Sequence, residues 1–357
     1  MQPIMNHISP SIKEPLISVL LPCFNAEKWI YSSLISLTRQ TYKNIEILIF
    51  NDGSHDETIN ILEKLSAQDS RIKIIDSPEN KGIVYALNHL CSISSGDYIA
   101  RMDADDIAVP TRLEQQLTWI INKDIDLCGT WFSEFGQGIS RTTRWPESHD
   151  ALEAALLFQN SICHPTIMGK RKVFAEFPYR EEFRLAEDYD FFARAIKKYK
   201  FNNIPKALLR YRRHPDQATQ ASKEKMEAIT KNIRITALES IGIIPNDAQK
   251  KIHNMIRSPN SIFNFHELEL IETWILSLLN DSKTAEYNRI IASQWIRACI
   301  RAAPLGCKMR RKFFSSPLFL LLNTTILTRI DITILSILKL NYNSKIFKWL
   351  RRIGLSA

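Results

Sequence analysis

Short apolar runs alternate with helix-like stretches through the first third of the chain. The runs are brief and bounded by polar turn residues, as buried strands are. They are residues 17–21, 45–50, 72–75 and 98–102. Apolar residues at helical spacing follow the first three runs, at residues 27–39, 54–65 and 81–90. Strands that alternate with helices through short loops predict an α/β fold with a mostly parallel sheet flanked by helices.

Local signals set the expected boundaries of these elements. Ser54 and Glu57 have the spacing of a capping box, so we expect them to begin the second helix together. Pro22 is expected to end the first strand. Between residues 222 and 300 glycine is rare and helix formers dominate, which predicts a helical C-terminal region. We expect three parts: an α/β domain at 15–220, a helical domain at 221–300 and a basic amphipathic region at 301–357.

The composition is that of a folded protein, because 45% of the 357 residues are hydrophobic and 24% are charged. The net charge is +9, and residues 301–357 hold 11 Lys and Arg against one acid. Six scattered cysteines without CxxC spacing argue against a zinc site and favour a reducing compartment. We see no signal-peptide pattern at the N-terminus. We expect no spanning helix at 318–338, because Arg329 and Asp331 lie near its middle.

Short motifs that contain polar residues follow three of the predicted strands where each strand ends. They are Pro22, Phe24 and Asn25, then Asp52, then Asp103, Asp105 and Asp106. Ligands of such sheets bind at the carboxyl ends of the strands. Neighbouring carboxylates repel unless a cation lies among them, so Asp103 and Asp105 are candidate ligands of Mg²⁺ or Mn²⁺. We expect Asp106 only to cap the turn that follows. The alternatives are a solvated acidic turn at 103–106 and an ordinary turn residue at Asp52.

Further polar positions are compatible with group transfer. Glu187 and Asp188 open a helix-like run, where they either compensate the helix dipole or supply a general base toward a hydroxyl. A base with an ordinary pKa is already ionised at neutral pH and needs placement more than tuning. Lys81, Arg212 and His214 are candidate phosphate contacts, although each is alternatively solvated or structural. The chain lacks GxGxxG and GxxxxGK[ST], so a cation is the expected partner of a bound diphosphate.

A set of motifs that covers roughly residues 15–220 resembles one family. The motifs are Ile17–Asn25, Ser36–Tyr42, Asn51–Ser54, Asn80–Gly82, Ser95–Tyr98, Asp103–Asp106 and Glu187–Asp188. In this order they resemble the family 2 glycosyltransferases with the GT-A fold, in particular the bacterial surface-polysaccharide and lipopolysaccharide enzymes. The resemblance implies a GT-A catalytic domain at 15–220, a UDP-sugar donor, Mg²⁺ or Mn²⁺, and inversion at the anomeric carbon.

The resemblance also implies roles for single residues. Phe24 would stack on the uracil and Asp52 would bind its imide. Asp103 would contact the ribose or the metal's water shell, Asp105 would ligate the metal, and Asp188 would be the base. The family's usual tandem Asp is Asn51-Asp52 here, which keeps the second acid.

The expected reaction moves a hexose or N-acetylhexosamine to a hydroxyl of a glycan or lipid-linked acceptor in O-antigen, lipopolysaccharide or capsule synthesis. UDP-GlcNAc, UDP-GalNAc and UDP-galactose are all reasonable donors. The competing hypotheses are a metal-dependent nucleotidyl or phosphoryl transferase, and a nucleic-acid-binding module that uses the basic tail.

The basic tail interleaves cations with aromatic residues at 308–314 and 345–352. Such segments suit an anionic membrane surface, which predicts a cytoplasmic protein attached peripherally at the inner face of the cytoplasmic membrane. The alternative is a solvated basic helix that packs on the rest of the chain.

Overall fold

The computed structural model describes residues 14–136, 141–215, 223–258, 264–341 and 344–346. The chain forms two compact units. The first comprises Met1–Trp145, Ile162–Phe191 and Tyr199–Ala221, and the second comprises Pro146–Ser161, Phe192–Lys198 and Ser222–Ala357. The domain limits at 220 and 300 remain a prediction.

Among the described residues, nine strands form one sheet at the centre of the first unit. Its strands are β1 Ile17–Cys23, β2 Ile45–Asp52, β3 Ile72–Ser77, β4 Tyr98–Arg101, β5 Ile107–Ala108, β6 Leu127–Gly136, β7 Thr142–Thr143, β8 Met168–Lys170 and β9 Phe201–Arg213. The order is β3-β2-β1-β4-β8-β6-β9-β5, with β7 beside β6. The long pairings are parallel, and the antiparallel ones join only two or three residues each. The predicted fold class is confirmed: a mixed α/β unit with a mostly parallel sheet and a helical C-terminal region.

Helices connect the strands as the alternation predicts. They are α1 Ile30–Thr38, α2 Thr58–Ser66, α3 Ile83–Ile93, α4 Arg112–Lys123, α6 Arg171–Glu176 and α7 Glu187–Ala195. The core on one side of the sheet contains Val19, Leu21, Ile47, Ile49 and Ala100, all fully buried. Parallel strands buried this completely read as nearly continuous apolar runs, which is why the sequence located β1 and β2 well.

Two boundary predictions were wrong. Ser54 does not cap α2, which begins at Thr58 without a side-chain cap; its hydroxyl instead donates to Asn51 and accepts from the backbone N–H of Asn25. Pro22 does not end β1, which continues to Cys23. In a parallel strand Pro22 faces the same neighbour as Leu20, and β4 pairs with β1 only as far as Leu20. The missing N–H of Pro22 therefore costs no ladder hydrogen bond.

The second unit is helical. Its helices are α5 His149–Leu156, α8 Lys223–Glu239, α9 Asp247–Arg257, α10 Phe265–Ser277, α11 Ala285–Arg301, α12 Cys307–Ser315, α13 Pro317–Leu321 and α14 Ile326–Ile337. Trp295, Tyr287 and Phe313 are among its largest buried side chains. Residues 318–338 form parts of α13 and α14, and among the described residues no helix is long and apolar enough to cross a bilayer.

Candidate active site

The carboxyl ends of β1 and β2 bring the first two predicted clusters side by side. Asp52 is buried, and its two oxygens accept the backbone N–H groups of Lys81 and Gly82 at 2.6 and 2.9 Å. Gly53 permits this turn, because its φ is +70° and a Cβ there would lie 2.6 Å from a backbone carbon of Glu79. Asp52 thereby holds the loop before α3 and keeps lone pairs for a further donor.

Three exposed side chains border this loop. Phe24 is 47% exposed, so its ring is available for stacking. The Lys81 ammonium lies 4.9 Å from the centre of the Tyr85 ring and 4.0 Å from Glu79. The Arg184 guanidinium lies against Gly82, where a Cβ would meet it at 2.8 Å. Arg184 was not predicted, and its position beside Lys81 adds a second cation to this border.

Asn51, the departure from the usual Asp, has a structural role that fits an amide. Its Nδ2 donates to Asp76 at 2.7 Å, and its Oδ1 accepts from Ser54 at 2.5 Å. A carboxylate at this position would repel Asp76 and lose the donor. The nearby backbone N–H of Asn25, a predicted site residue with φ of +47°, is held by Ser54.

The three acidic residues that follow β4 in the sequence also lie close together in the folded protein. One carboxylate oxygen each of Asp103, Asp105 and Asp106 lies within 4.8 Å of the others. Asp106 is fully buried and its Oδ1 accepts the backbone N–H of Arg212 at 2.9 Å, so it does not serve as the local turn cap that we expected. Its Oδ2 is buried with no partner among the described residues. Burial raises the pKa of Asp106 well above its ordinary value, and the negative charges of Asp103 and Asp105 raise that pKa further.

Arg101 is the last residue of β4, and the sequence pattern shows it only as part of an apolar strand. Its side chain is buried, and one guanidinium nitrogen contacts Asp103. Burial raises the pKa of Asp103, and Arg101 opposes that rise. The charge of Arg101 also opposes the rise in the pKa of Glu187 and of Asp188. One guanidinium therefore acts on both of the acidic clusters that the sequence singled out.

The end of β9 supplies the predicted phosphate contacts. Arg212 Nε donates to the backbone oxygen of Asp105 at 2.7 Å, and its guanidinium lies 4.5 Å from the ring centre of Trp29. His214 Nε2 lies 2.9 Å from Asp105 Oδ2, while its Nδ1 is buried without a partner among the described residues. The structure thus brings Arg212 and His214 to the acidic cluster. Trp29, which the sequence pattern does not single out, packs against both at the start of α1.

Glu187 and Asp188 begin α7, as predicted. The Glu187 carboxylate accepts the N–H of Leu185 at 2.9 Å, and Asp188 Oδ1 accepts the N–H of Tyr189 at 2.7 Å. Burial, with the neighbouring Glu187, raises the pKa of Asp188 from 3.8 to about 7. The expectation of an ordinary, fully ionised carboxylate is therefore wrong for the protein without a bound cation. Burial raises the pKa of Glu187 as well.

Two buried aromatic groups complete the surroundings of this second pair. His164 Nε2 lies 2.9 Å from the Tyr179 hydroxyl, and the Tyr179 ring stacks on Phe191 of α7 with 5.1 Å between ring centres. Burial lowers the pKa of His164 well below its ordinary value, and Arg101 adds to that effect. No motif in the sequence pointed to Tyr179, because its partners lie far from it along the chain.

The fold belongs to the GT-A class. Among solved structures, residues 1–349 of S. aureus TarS in complex with UDP-GlcNAc match with a TM-score of 0.54 at 18% identity, over 95% of this chain and 92% of that one. This likeness is one of fold.

Sequence comparison assigns the family. The profile of "Glycosyl transferase family 2" matches residues 18–177. An uncharacterised glycosyltransferase of Haemophilus influenzae is 34% identical over 62% of this chain and 72% of its own length. The O-antigen biosynthesis glycosyltransferase WbnJ of Escherichia coli is 32% identical over 58% of this chain and 83% of its own length. The chain belongs to glycosyl transferase family 2, as the motifs predicted, and this membership favours glycosyl transfer over the two competing hypotheses.

Proposed function

We propose that this glycosyltransferase moves a hexose or N-acetylhexosamine from a UDP-sugar to a hydroxyl group, with inversion at the anomeric carbon. The observation that carries the proposal is the linkage through Arg101, which contacts Asp103 and acts electrostatically on Asp188. A donor site and a base must lie close together for direct displacement, and this residue links the candidates for both.

We assign the nucleoside to the ends of β1 and β2. The residues proposed to contact it there are Pro22, Phe24, Asn25 and Asp52. Phe24 offers an exposed ring to the uracil, and Asp52 keeps lone pairs for its imide N–H. Lys81 lies in the loop before α3 and is the proposed phosphate contact, with Arg184 against Gly82 as a second cation. These assignments follow from the family resemblance and fit the contacts of each side chain.

The residues of the acidic cluster fit a divalent cation. Carboxylate oxygens are the ligands that Mg²⁺ and Mn²⁺ take, and Asp106 Oδ2 is a buried acceptor without a donor among the residues that the structure describes. We assign Asp105 and Asp103 to the cation, with His214 and Arg212 beside them toward the diphosphate. A cation bound there would neutralise the charge that develops on the leaving diphosphate.

Asp188 is the proposed general base. Its carboxylate would take the proton from the acceptor hydroxyl while the acceptor oxygen attacks the anomeric carbon from the face opposite the diphosphate. A pKa of about 7 suits this task, because the base is then both available near neutral pH and able to hold the proton. Glu187 contributes by raising the pKa of Asp188 and by holding the loop at Leu185.

The acceptor is proposed to be a glycan or a lipid-linked glycan of a cell-surface polysaccharide. The E. coli relative is named for O-antigen biosynthesis, which supports this acceptor class. Hydroxyl-rich acceptors of this class need a base placed beside the donor and no further cofactor.

The test is sugar-dependent release of UDP by the full chain in the presence of Mn²⁺ or Mg²⁺. UDP-GlcNAc, which TarS binds, is the first donor, followed by UDP-GalNAc and UDP-galactose. Asp188→Asn should reduce turnover by about 10²- to 10⁴-fold with donor affinity nearly unchanged. Glu182→Gln, a carboxylate that is 63% exposed six residues earlier, is the matched control and should keep full turnover. Release of UDP at the same rate by both variants would remove Asp188 from the mechanism.

A further inference from the structure

Helix α14 has apolar residues on two faces. Its inner face is Thr328, Asp331, Ile332, Leu335 and Ser336, all buried. The other side carries Ile326, Leu327, Ile330 and Ile337, which are between 44% and 76% exposed. The spacing of four residues from Ile326 to Ile330, and of seven from Ile330 to Ile337, keeps these on one face. A helix whose solvent side is polar needs no partner, but this helix presents aliphatic groups there.

The exposed aliphatic groups continue on both sides of α14. Leu320, at 85%, and Leu321, at 39%, lie at the end of α13, and Leu338, at 55%, follows α14. We call the aliphatic surface the set Leu320, Leu321, Ile326, Leu327, Ile330, Ile337 and Leu338. Scattered exposed apolar residues are common, but seven within 19 consecutive positions are a concentration that favours an interaction site.

The aromatic residues of 308–314 pack in a cluster, whereas Phe347 and Trp349 of the predicted basic aromatic segment 345–352 lie outside the described residues. Phe313 is fully buried and packs against Phe314 and Phe319, with ring centres 5.1 and 5.4 Å away. The cations of residues 308–314 therefore flank an aromatic cluster in which Phe314 remains 38% exposed, and leucines and isoleucines further along the chain are exposed as well.

The exposed charged side chains described between residues 302 and 341 have one sign. The single acid of residues 302–341, Asp331, is buried on the inner face of α14. The exposed ionisable side chains described in this stretch are Lys308, Arg311, Arg329 and Lys339. Arg329 lies between Leu327 and Ile330 in sequence, and Lys339 follows Leu338. An anionic surface with an apolar interior is complementary to this combination.

We propose that α13 and α14 bind an anionic lipid bilayer, with the aliphatic surface inserted at the boundary of headgroups and acyl chains. Arg329 and Lys339 lie next to the inserted residues in the chain and would pair with the phosphates. This mode is interfacial rather than spanning, because α14 has 12 residues and α13 has five. The proposal concerns the second unit alone and does not depend on which sugar the first unit transfers.

The experiment is co-sedimentation of the full chain with vesicles of phosphatidylcholine alone or with phosphatidylglycerol added. We expect binding to the anionic vesicles that weakens as salt is raised, and little binding to the neutral ones. The double variant Leu327→Ser and Ile330→Ser should weaken binding to anionic vesicles at least about tenfold. Ile244→Ser is the matched control, because Ile244 is 85% exposed and lies between α8 and α9.

Tm and sedimentation velocity of the same variants distinguish lipid binding from loss of folding and from self-association. If the surface meets lipid, the double variant keeps the wild-type Tm and the wild-type sedimentation coefficient. Unchanged vesicle binding by the double variant, or no binding by the wild type, overturns the proposal. A lower sedimentation coefficient for the double variant without a loss of vesicle binding would assign the surface to a second copy of the chain instead.

Discussion

Replacement of Asp188 by Asn should stabilise the protein while removing its activity, and the gain should depend on pH. The Asn side chain keeps the oxygen that accepts the Tyr189 N–H but carries no charge. In the wild type the pKa of Asp188 is raised from 3.8 to about 7 by burial and by Glu187, so the folded state holds a proton that the unfolded state releases. Wild-type stability from this group is therefore fully present below pH 4 and is lost as pH rises through about 7.

The size of the effect follows from the same pKa. Each pH unit between 3.8 and about 7 costs the wild type about 1.4 kcal/mol of unfolding free energy, relative to a side chain that does not titrate. Between pH 5 and pH 8 the advantage of Asp188→Asn should thus grow by about 3 kcal/mol. Urea unfolding in EDTA at several pH values measures it, with Glu182→Gln as the control whose difference from wild type stays flat. If the difference in unfolding free energy between Asp188→Asn and the wild type does not change with pH, Asp188 is not a buried carboxylate with a raised pKa.

Three further predictions concern the same unit. Asp105→Ala should abolish the Mn²⁺-dependent heat of UDP binding in calorimetry, whereas Glu63→Ala on the exposed side of α2 should leave it intact. Gly53→Ala should lower the free energy of unfolding in urea by more than about 1 kcal/mol, because φ is +70° and the Cβ would lie 2.6 Å from a backbone carbon of Glu79. An unchanged free energy of unfolding would contradict the turn geometry. Arg101→Met should destabilise by about 3 kcal/mol at pH 8 and by less as the pH falls, because burial raises the pKa of Asp103 and its protonation removes the ion pair; a loss that does not change with pH would argue against the ion pair.

The first half of the sheet was predictable because each of its strands is a local signal. β1 to β3 are apolar runs followed by helical periodicity, and their parallel order follows from the crossover rule. The strands from β5 to β9 were not predicted from the sequence. β5 and β7 have two residues each, and β8 has three, so their pairing is decided by tertiary contacts rather than by their own composition.

The positions of the acidic clusters were predictable for the same reason, but their environment was not. Asp103 and Asp105 follow a strand end, and that alone locates them at the sheet edge. The raised pKa of Asp188 depends on burial, which one residue of sequence does not encode. Ser54 was misassigned because a capping box is a local pattern, whereas its actual partners, Asn25 and Asn51, come from neighbouring loops.

The candidate active site is electrostatically strained in the absence of a cation, and this strain is consistent with its proposed use. Asp103, Asp106, Glu187 and Asp188 all have raised pKa values, and Arg101 is the buried cation shared by both clusters. Arg112 and Arg212 also interact with Asp106, yet burial still raises the pKa values of these carboxylates, so charging them costs free energy in the folded protein. A cation at Asp103 and Asp105 would relieve it, and the same relief would lower the pKa of neighbouring carboxylates. The raised pKa values of these carboxylates and the proposed cation site thus follow from the same arrangement of neighbouring acids.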